Sequence, residues 1–192
     1  MSVSLRSILL LPCLWSLVWS LSILELSLLE STISEDSCSF YQALEMRTHC
    51  GNDGYVTNFA HKYCEKYLAG RSSFNDTKWQ NGVRVCLQRT MLSKLRTVSQ
   101  PTCQQIRDWG FDSHFGCYMR PIPNSPEVKF CRLKGADIVK IGWMAKGTVL
   151  EKEVWKQFAK MINECAGQYL QDVKQDFVQF LKKTMNSLNW PW

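Results

Sequence analysis

Cysteine is the residue type in this 192-residue chain whose number and spacing offer the most chemistry. Eight cysteines follow a hydrophobic leader: Cys38, Cys50, Cys64, Cys86, Cys103, Cys117, Cys131 and Cys165. Thiols can ligate metals, act as nucleophiles or form disulfides, and an even set behind an export signal is typical of disulfides. The pattern therefore predicts four disulfide bonds and an oxidising compartment.

The three histidines offer weaker alternatives. His61 lies one turn before Cys64, and His49 adjoins Cys50, which is a spacing that a zinc site could use. An oxidising compartment favours disulfides over zinc at these thiols. His114 follows an aspartate and a serine, but no nucleophile elbow or zinc-protease helix motif accompanies it. The sequence predicts no catalytic residue, no metal site and no cofactor, and hence a protein that is not an enzyme.

Residues 1–29 have the pattern of a signal peptide. Arg6 supplies a positive n-region, residues 8–19 form an apolar h-region, and Ser20 and Ser22 are small residues suited to a cleavage site. This pattern predicts secretion into the extracellular space.

An uncleaved membrane anchor is the alternative, because apolar residues continue to position 29. Glu25 interrupts that run, and the stretch before it is short for a span of about 20 residues. We therefore expect cleavage between residues 20 and 35, loss of Cys13 with the leader, and no membrane insertion afterwards.

Size and charge narrow the class of partner. The mature chain is long enough for one domain with its own core, which we assign to residues 36–189. The net charge of +6 comes from interspersed acidic and basic residues, so nucleic acid is not an expected partner.

Helical periodicity runs through most of the domain. Apolar residues recur every three to four positions from Tyr55 to Leu68, and Gly70 is a suitable stop. Asn75 or Asp76 could cap a second helix that ends near position 95. A shorter helix is expected after Pro101, with Ile106 and Trp109 facing inward.

The later part of the chain is less uniform. Three glycines lie between Lys134 and Thr148, which favours irregular structure or a short strand. From Glu151 to Leu181 the apolar residues follow a helical stripe again, and Gly167 could bend it. The prediction is an all-α array of helices stapled by disulfides, with a long C-terminal amphipathic helix.

The second predicted helix has a glycosylation acceptor sequence at its start and several basic residues along its length. Asn75-Asp76-Thr77 is an N-glycosylation acceptor sequence at a loop-to-helix junction; the competing interpretation makes Asn75 a helix cap. Arg84, Arg89, Lys94 and Arg96 place positive charge along the helix. A solvated helix face is favoured over contact with sulfated glycans or an acidic receptor.

Several cysteines stand in distinctive local sequences. These are Cys50-Gly-Asn-Asp-Gly-Tyr before Tyr63-Cys64, Phe74-Asn-Asp-Thr-Lys before Val85-Cys86, then Cys103, Gly116-Cys117-Tyr118 and Asn163-Glu164-Cys165. In these residues and their spacing, roughly residues 38 to 185 resemble the stanniocalcins, which are secreted glycoprotein hormones.

The resemblance implies a disulfide map. Carried over by position, it pairs Cys38 with Cys64, Cys50 with Cys103, Cys86 with Cys117 and Cys131 with Cys165. The two family cysteines that have no counterpart here are bonded to each other, so their loss leaves no orphan thiol. The cysteine that links two family subunits is also missing, which leaves a noncovalent homodimer through the apolar tail face as the expected form of any dimer.

The resemblance also implies a function. We expect a hormone or paracrine factor that influences calcium or phosphate handling by binding an extracellular protein receptor. Family members also inhibit pappalysin-type proteinases, so noncovalent inhibition of a secreted metalloproteinase is a second hypothesis. A carrier of small apolar ligands is a third, since helical disulfide-rich secreted domains often enclose a cavity.

Overall fold

The computed structural model describes residues 23–145, 147 and 152–165, and in these residues the chain forms helices and no strand. The helices are α1 (23–31), α2 (Ser39–Thr48), α3 (Lys62–Ala69), α4 (Thr77–Leu95), α5 (Cys103–Met119), α6 (Gly135–Ala145) and α7 (Lys152–Glu164). A π-helix, Val56–His61, leads directly into α3, and 3-10 turns occupy Arg71–Ser73 and Phe130–Arg132. The all-α prediction is confirmed.

Side-chain caps fix where the two longest helices begin. The Asp76 carboxylate accepts the Trp79 N–H at 2.8 Å and caps α4, so Asp76 rather than Asn75 is the cap. Thr102 and Gln105 form a reciprocal capping box at the start of α5. Helix α5 has 17 residues against 19 in α4, so the prediction of a shorter helix after Pro101 is confirmed.

Two apolar clusters share α4. The N-terminal cluster is buried between α1, α2, α3 and the second half of α4; it contains Leu29, Cys38, Phe40, Tyr41, Leu44, Val56, Ala60, Cys64, Met91, Leu92, Leu95 and Ile106. The C-terminal cluster includes Tyr67, Phe74, Trp79, Val83, Val128, Phe130, Leu133, Ile138, Ile141, Phe158, Met161, Ile162 and Cys165. Trp79 and Val83 thus face one cluster and Met91 and Leu95 the other, so α4 is the element that joins them.

The irregular structure predicted for residues 134–148 was wrong, because this stretch contains α6. Ile138 and Ile141 are almost completely buried in the C-terminal cluster. A glycine in a helix costs roughly 1 kcal/mol relative to alanine, whereas burying an isoleucine contributes about 1.5–3 kcal/mol. Tertiary burial therefore outweighs the low propensity that the glycines give to this segment.

Helix α7 confirms the start of the C-terminal stripe, since Phe158, Met161 and Ile162 are buried. The rest of the predicted long helix, including Gly167 and Leu181, lies outside the described residues. None of the described helices is long and apolar enough to cross a membrane.

Candidate functional site

The structure pairs all eight of its described cysteines. The bonds are Cys38–Cys64, Cys50–Cys103, Cys86–Cys117 and Cys131–Cys165, with Cα–Cα distances of 5.9, 5.6, 5.5 and 5.2 Å. These are the four pairs that the stanniocalcin resemblance implied. In the described part of the chain, no cysteine is left as a thiolate for a metal or a nucleophile.

The bonds tie successive helices together. One joins the start of α2 to α3, one joins the loop after α2 to the start of α5, and one joins the middle of α4 to the C-terminal end of α5. The fourth joins the 3-10 turn at 130–132 to Cys165, directly after α7. The chain segments that the bonds enclose range from 26 to 53 residues. Each bond could stabilise the fold by about 2–4 kcal/mol.

The histidines are dispersed. His61 lies beside Glu65, with 3.5 Å between Nε2 and Oε1. His114 is half-buried among aromatic rings, and its Nδ1 lies 2.7 Å from the Gly110 carbonyl oxygen. Desolvation lowers its pKa below the ordinary value of 6.5. Among the described residues, no three histidine, cysteine, aspartate or glutamate side chains lie close enough to hold a metal ion.

The predicted glycosylation acceptor is held by a carboxylate that the sequence did not single out. Asn75 is exposed, yet its backbone N–H and its Nδ2 each donate to Asp137 Oδ1, at 3.0 and 2.9 Å. The Asp76 N–H donates to Asp137 Oδ2 at 3.1 Å, and Lys140 Nζ lies 3.3 Å from Oδ1. The side-chain amide of Asn75 has two hydrogens, so one remains for a glycan when the other is bonded.

Asp137 is therefore a buried carboxylate whose two oxygens both accept hydrogen bonds. Burial alone raises the pKa of Asp137, but the hydrogen bonds from Asn75, Asp76 and Lys140 outweigh burial, and the pKa lies below its ordinary value. The group is ionised at neutral pH and accepts hydrogen bonds without a proton to transfer. It fixes the acceptor loop against α6.

The basic stripe predicted on α4 does not form a single solvated face. Arg84 is 3% exposed and donates to the carbonyl oxygens of Glu35 and Ser37, at 2.5 and 3.2 Å. Arg96 pairs with Glu30 at 2.6 Å. The prediction was wrong for Arg84 because hydrophobic periodicity does not reveal a buried cation whose partners are distant backbone carbonyls.

An open cleft of about 650 Å³ lies between α1, α2 and the loop before α5. Leu28 and Met46 at this cleft are 68% and 70% exposed, and the Glu25–Arg47 ion pair closes one side at 3.2 Å. His49 and Pro101 line the cleft, and they are one and two positions from the two cysteines of the Cys50–Cys103 bond. Apolar and charged groups of this kind suit noncovalent recognition.

Two cavities deeper in the molecule are much smaller. Each has a volume of about 40 Å³, and both are lined in part by Tyr67, His114 and Tyr118. Tyr118 donates to the Tyr67 hydroxyl at 3.2 Å, and burial raises the pKa of Tyr118 to about 12. Such cavities have room for water, whereas small-molecule sites occupy about 300–1,000 Å³.

Comparison with known proteins gives no match: no family model matches the chain, and neither does any curated protein or solved structure. The features that sequence reasoning missed are Asp137, Arg84 and the contacts of α1. Asp137 and Arg84 gave no local signal, because their partners lie 62 and 49 positions away along the chain.

Proposed function

We propose that this chain is a secreted, stanniocalcin-like glycoprotein that acts as a hormone or paracrine factor by binding an extracellular protein, with an influence on calcium or phosphate handling. The observation that carries the proposal is the cysteine pairing. Eight cysteines allow on the order of a hundred pairings. The four bonds of the structure are the set that the resemblance implied.

The arrangement of the described residues favours recognition over catalysis. Three disulfides link α2, α3, α4 and α5 into one covalent unit, and the fourth ties the 3-10 turn at 130–132 to the end of α7. Helix α6 is held by packing and by the hydrogen bonds of Asp137. Stiff elements lose little conformational entropy when they dock, so more of the contact energy appears as affinity. His49, beside Cys50, and His61, three positions before Cys64, are close in sequence to sulfurs that are bonded to other sulfurs.

The hormone proposal is tested on epithelial monolayers. The disulfide-bonded protein is purified from culture medium, applied to the cells, and transepithelial calcium and phosphate fluxes are measured. The matched control is the same preparation after reduction and alkylation of its cysteines. We expect a dose-dependent change in one flux with the folded protein and none with the control. Equal flux changes with the folded protein and the reduced control would overturn the proposal. So would a folded protein that changes neither flux and shows no saturable binding to the cell surface.

Glycosylation at Asn75 is part of the proposal and has its own test. Thr77→Ala removes the acceptor sequence but leaves the Asn75–Asp137 hydrogen bonds, whereas Asn75→Gln removes the acceptor and disturbs those bonds. We expect both variants to lose the mass that a glycan-removing amidase takes from the secreted protein. Thr77→Ala should keep the unfolding midpoint of wild-type protein trimmed with an endoglycosidase that leaves the Asn75 amide in place, because the amidase would turn Asn75 into an aspartate beside Asp137. An unmodified Asn75 in wild-type protein would remove "glycoprotein" from the proposal.

Noncovalent inhibition of a secreted metalloproteinase is the second candidate function, and the paired cysteines define its form. With eight bonded cysteines, the described chain has no thiol for a mixed disulfide. Inhibition of a pappalysin-type enzyme should therefore reverse fully on dilution. The inhibitor and the enzyme should also migrate as two separate proteins in a denaturing gel without reducing agent. A covalent adduct would contradict this form of the proposal, and thiol counting on the unreduced protein would locate the sulfur responsible.

A further inference from the structure

Helix α1 packs as part of the domain, although its residues overlap the end of the leader assigned from sequence. Leu29 is 3% exposed in the N-terminal cluster, and Leu26 packs against the same cluster. Glu25 pairs with Arg47 on α2 at 3.2 Å, and Glu30 pairs with Arg96 at the end of α4 at 2.6 Å. The helix thus contacts two elements through both apolar and charged groups.

The segment after α1 is bound to α4 by a pair of hydrogen bonds. The Ser34 N–H donates to Gln88 Oε1 at 3.1 Å, and Gln88 Nε2 donates back to the Ser34 carbonyl oxygen at 3.2 Å. Gln88 is completely buried, so loss of Ser34 would leave both polar atoms of its amide without these partners.

The window expected for leader cleavage, residues 20–35, contains two places where small residues stand three and one positions before a bond. Ser20-Leu21-Ser22 precedes Ile23, and Thr32-Ile33-Ser34 precedes Glu35. Signal peptidases require such small pairs. Sequence alone does not choose between them, but the second cut would remove α1, Leu29 and the partner of Gln88.

We infer that signal peptidase cuts the Ser22–Ile23 bond, so that the mature protein begins at Ile23 and keeps α1; this rests on the proposed secretion. Water adds across the peptide bond, leaving a carboxylate on Ser22 and an α-amino group on Ile23. The cut falls three residues after the apolar stretch at 8–19.

The position of the cut decides whether the α1–α2 cleft exists in the mature protein. Glu25, Leu28 and Leu29 form its α1 wall. A protein that began at Glu35 would lack this wall, and the N-terminal cluster would lose the buried Leu29 and the Leu26 that packs against it. Processing at Ile23 therefore delivers the cleft intact to the extracellular space.

The experiment is N-terminal sequencing and intact-mass measurement of the full chain, expressed with a C-terminal tag in secreting eukaryotic cells and recovered from medium and cells. We expect Ile23 as the first residue. A secreted protein that begins elsewhere overturns the assigned bond, and one that begins after residue 31 overturns retention of α1, while secretion itself stands. A chain kept in the cells with its leader attached overturns both this inference and the proposed secretion.

Two substitutions make the result independent of folding. Ser22→Leu places a large residue directly before the inferred bond, and most of the Ile23 product should disappear. The matched control, Ser34→Leu, blocks the other small pair and should leave Ile23 as the first residue of whatever protein is recovered. The reverse pattern, with Ser34→Leu shifting the N-terminus and Ser22→Leu leaving it unchanged, would place the cut at Glu35.

Discussion

Two buried charges of opposite sign each hold a loop, one beside each apolar cluster. Arg84 on α4 is 3% exposed and donates to the carbonyl oxygens of Glu35 and Ser37 in the loop before α2. Asp137 on α6 is completely buried and accepts the N–H groups of Asn75 and Asp76 in the loop before α4. Backbone groups bind both charges: carbonyl oxygens accept from Arg84, and N–H groups donate to Asp137.

The two loops differ in what else holds them. The loop that Arg84 contacts ends at Cys38, whose sulfur is bonded to Cys64, so this loop keeps a covalent tether without the arginine. None of the four disulfides of the described chain joins α6 or the loop that Asp137 contacts. The carboxylate also lies at the N-terminal end of α4, where the helix dipole favours a negative charge. The C-terminal cluster therefore depends more on a single charge than the N-terminal cluster does.

The largest effect is therefore expected for Asp137→Ala. Removal of the carboxylate leaves the part-buried N–H groups of Asn75 and Asp76 without this acceptor and removes the contact of Lys140, which should lower the free energy of unfolding by about 4 kcal/mol. Urea unfolding at neutral pH, followed by tryptophan fluorescence, measures this loss. Asp137→Asn keeps one acceptor oxygen and should lose about half as much.

A smaller effect is expected for Arg84→Met. The substitution keeps the apolar stem volume but leaves two carbonyl oxygens unpaired, and the tethered loop can turn them toward water, so we expect a loss of about 2 kcal/mol. Arg84→Lys keeps the charge without the two-pronged donor, and it should lie between wild type and Arg84→Met. A cost for Arg84→Met equal to that for Asp137→Ala would refute the role assigned to the disulfide tether.

Acidification should affect the contributions of Asp137 and Arg84 to stability differently. The folded pKa of Asp137 lies below its ordinary value of 3.8, so its contribution is fully present above that value and is lost as pH falls through the folded pKa. Arg84 keeps its proton throughout this range. The stability gap between wild type and Asp137→Asn should therefore narrow on acidification, and the gap between wild type and Arg84→Met should not. Parallel narrowing of both gaps, measured by urea unfolding in acidic buffers, would contradict the assignment.

Local signals in the sequence were enough for most helices but not for these charges. Asp76 and Thr102 cap α4 and α5, and both helices begin within a few positions of the starts predicted from sequence. The glycines of α6 hid a helix that long-range burial of Ile138 and Ile141 stabilises. A charge such as Arg84 looks solvated in a helical pattern, because its burial depends on a loop about fifty positions away. Local sequence likewise does not determine which cysteines pair, and the pairing was predicted only from the stanniocalcin resemblance.

The smallest effect is expected for Arg71→Gln, which tests whether surface charge also holds the loop before α2. Arg71 pairs with Asp36 at 2.5 Å, one position from the Glu35 carbonyl that Arg84 binds, but both side chains of the pair are more than a third exposed. Exposed pairs contribute about 0.5 kcal/mol. Burial, and to a lesser degree repulsion from Arg71, lowers the pKa of Arg84, so loss of Arg71 also relieves that repulsion.

The expected change in unfolding free energy for Arg71→Gln is therefore below about 0.5 kcal/mol and should vanish at high salt, because mobile ions screen exposed charges. Urea unfolding at low and high sodium chloride measures it, with Arg84→Met in the same buffers as the comparison. The Arg84 effect should persist in salt, since its partners are buried carbonyl dipoles. If Arg71→Gln cost as much as Arg84→Met, surface pairing would hold the loop, and the contrast between one buried charge in each cluster would lose its basis.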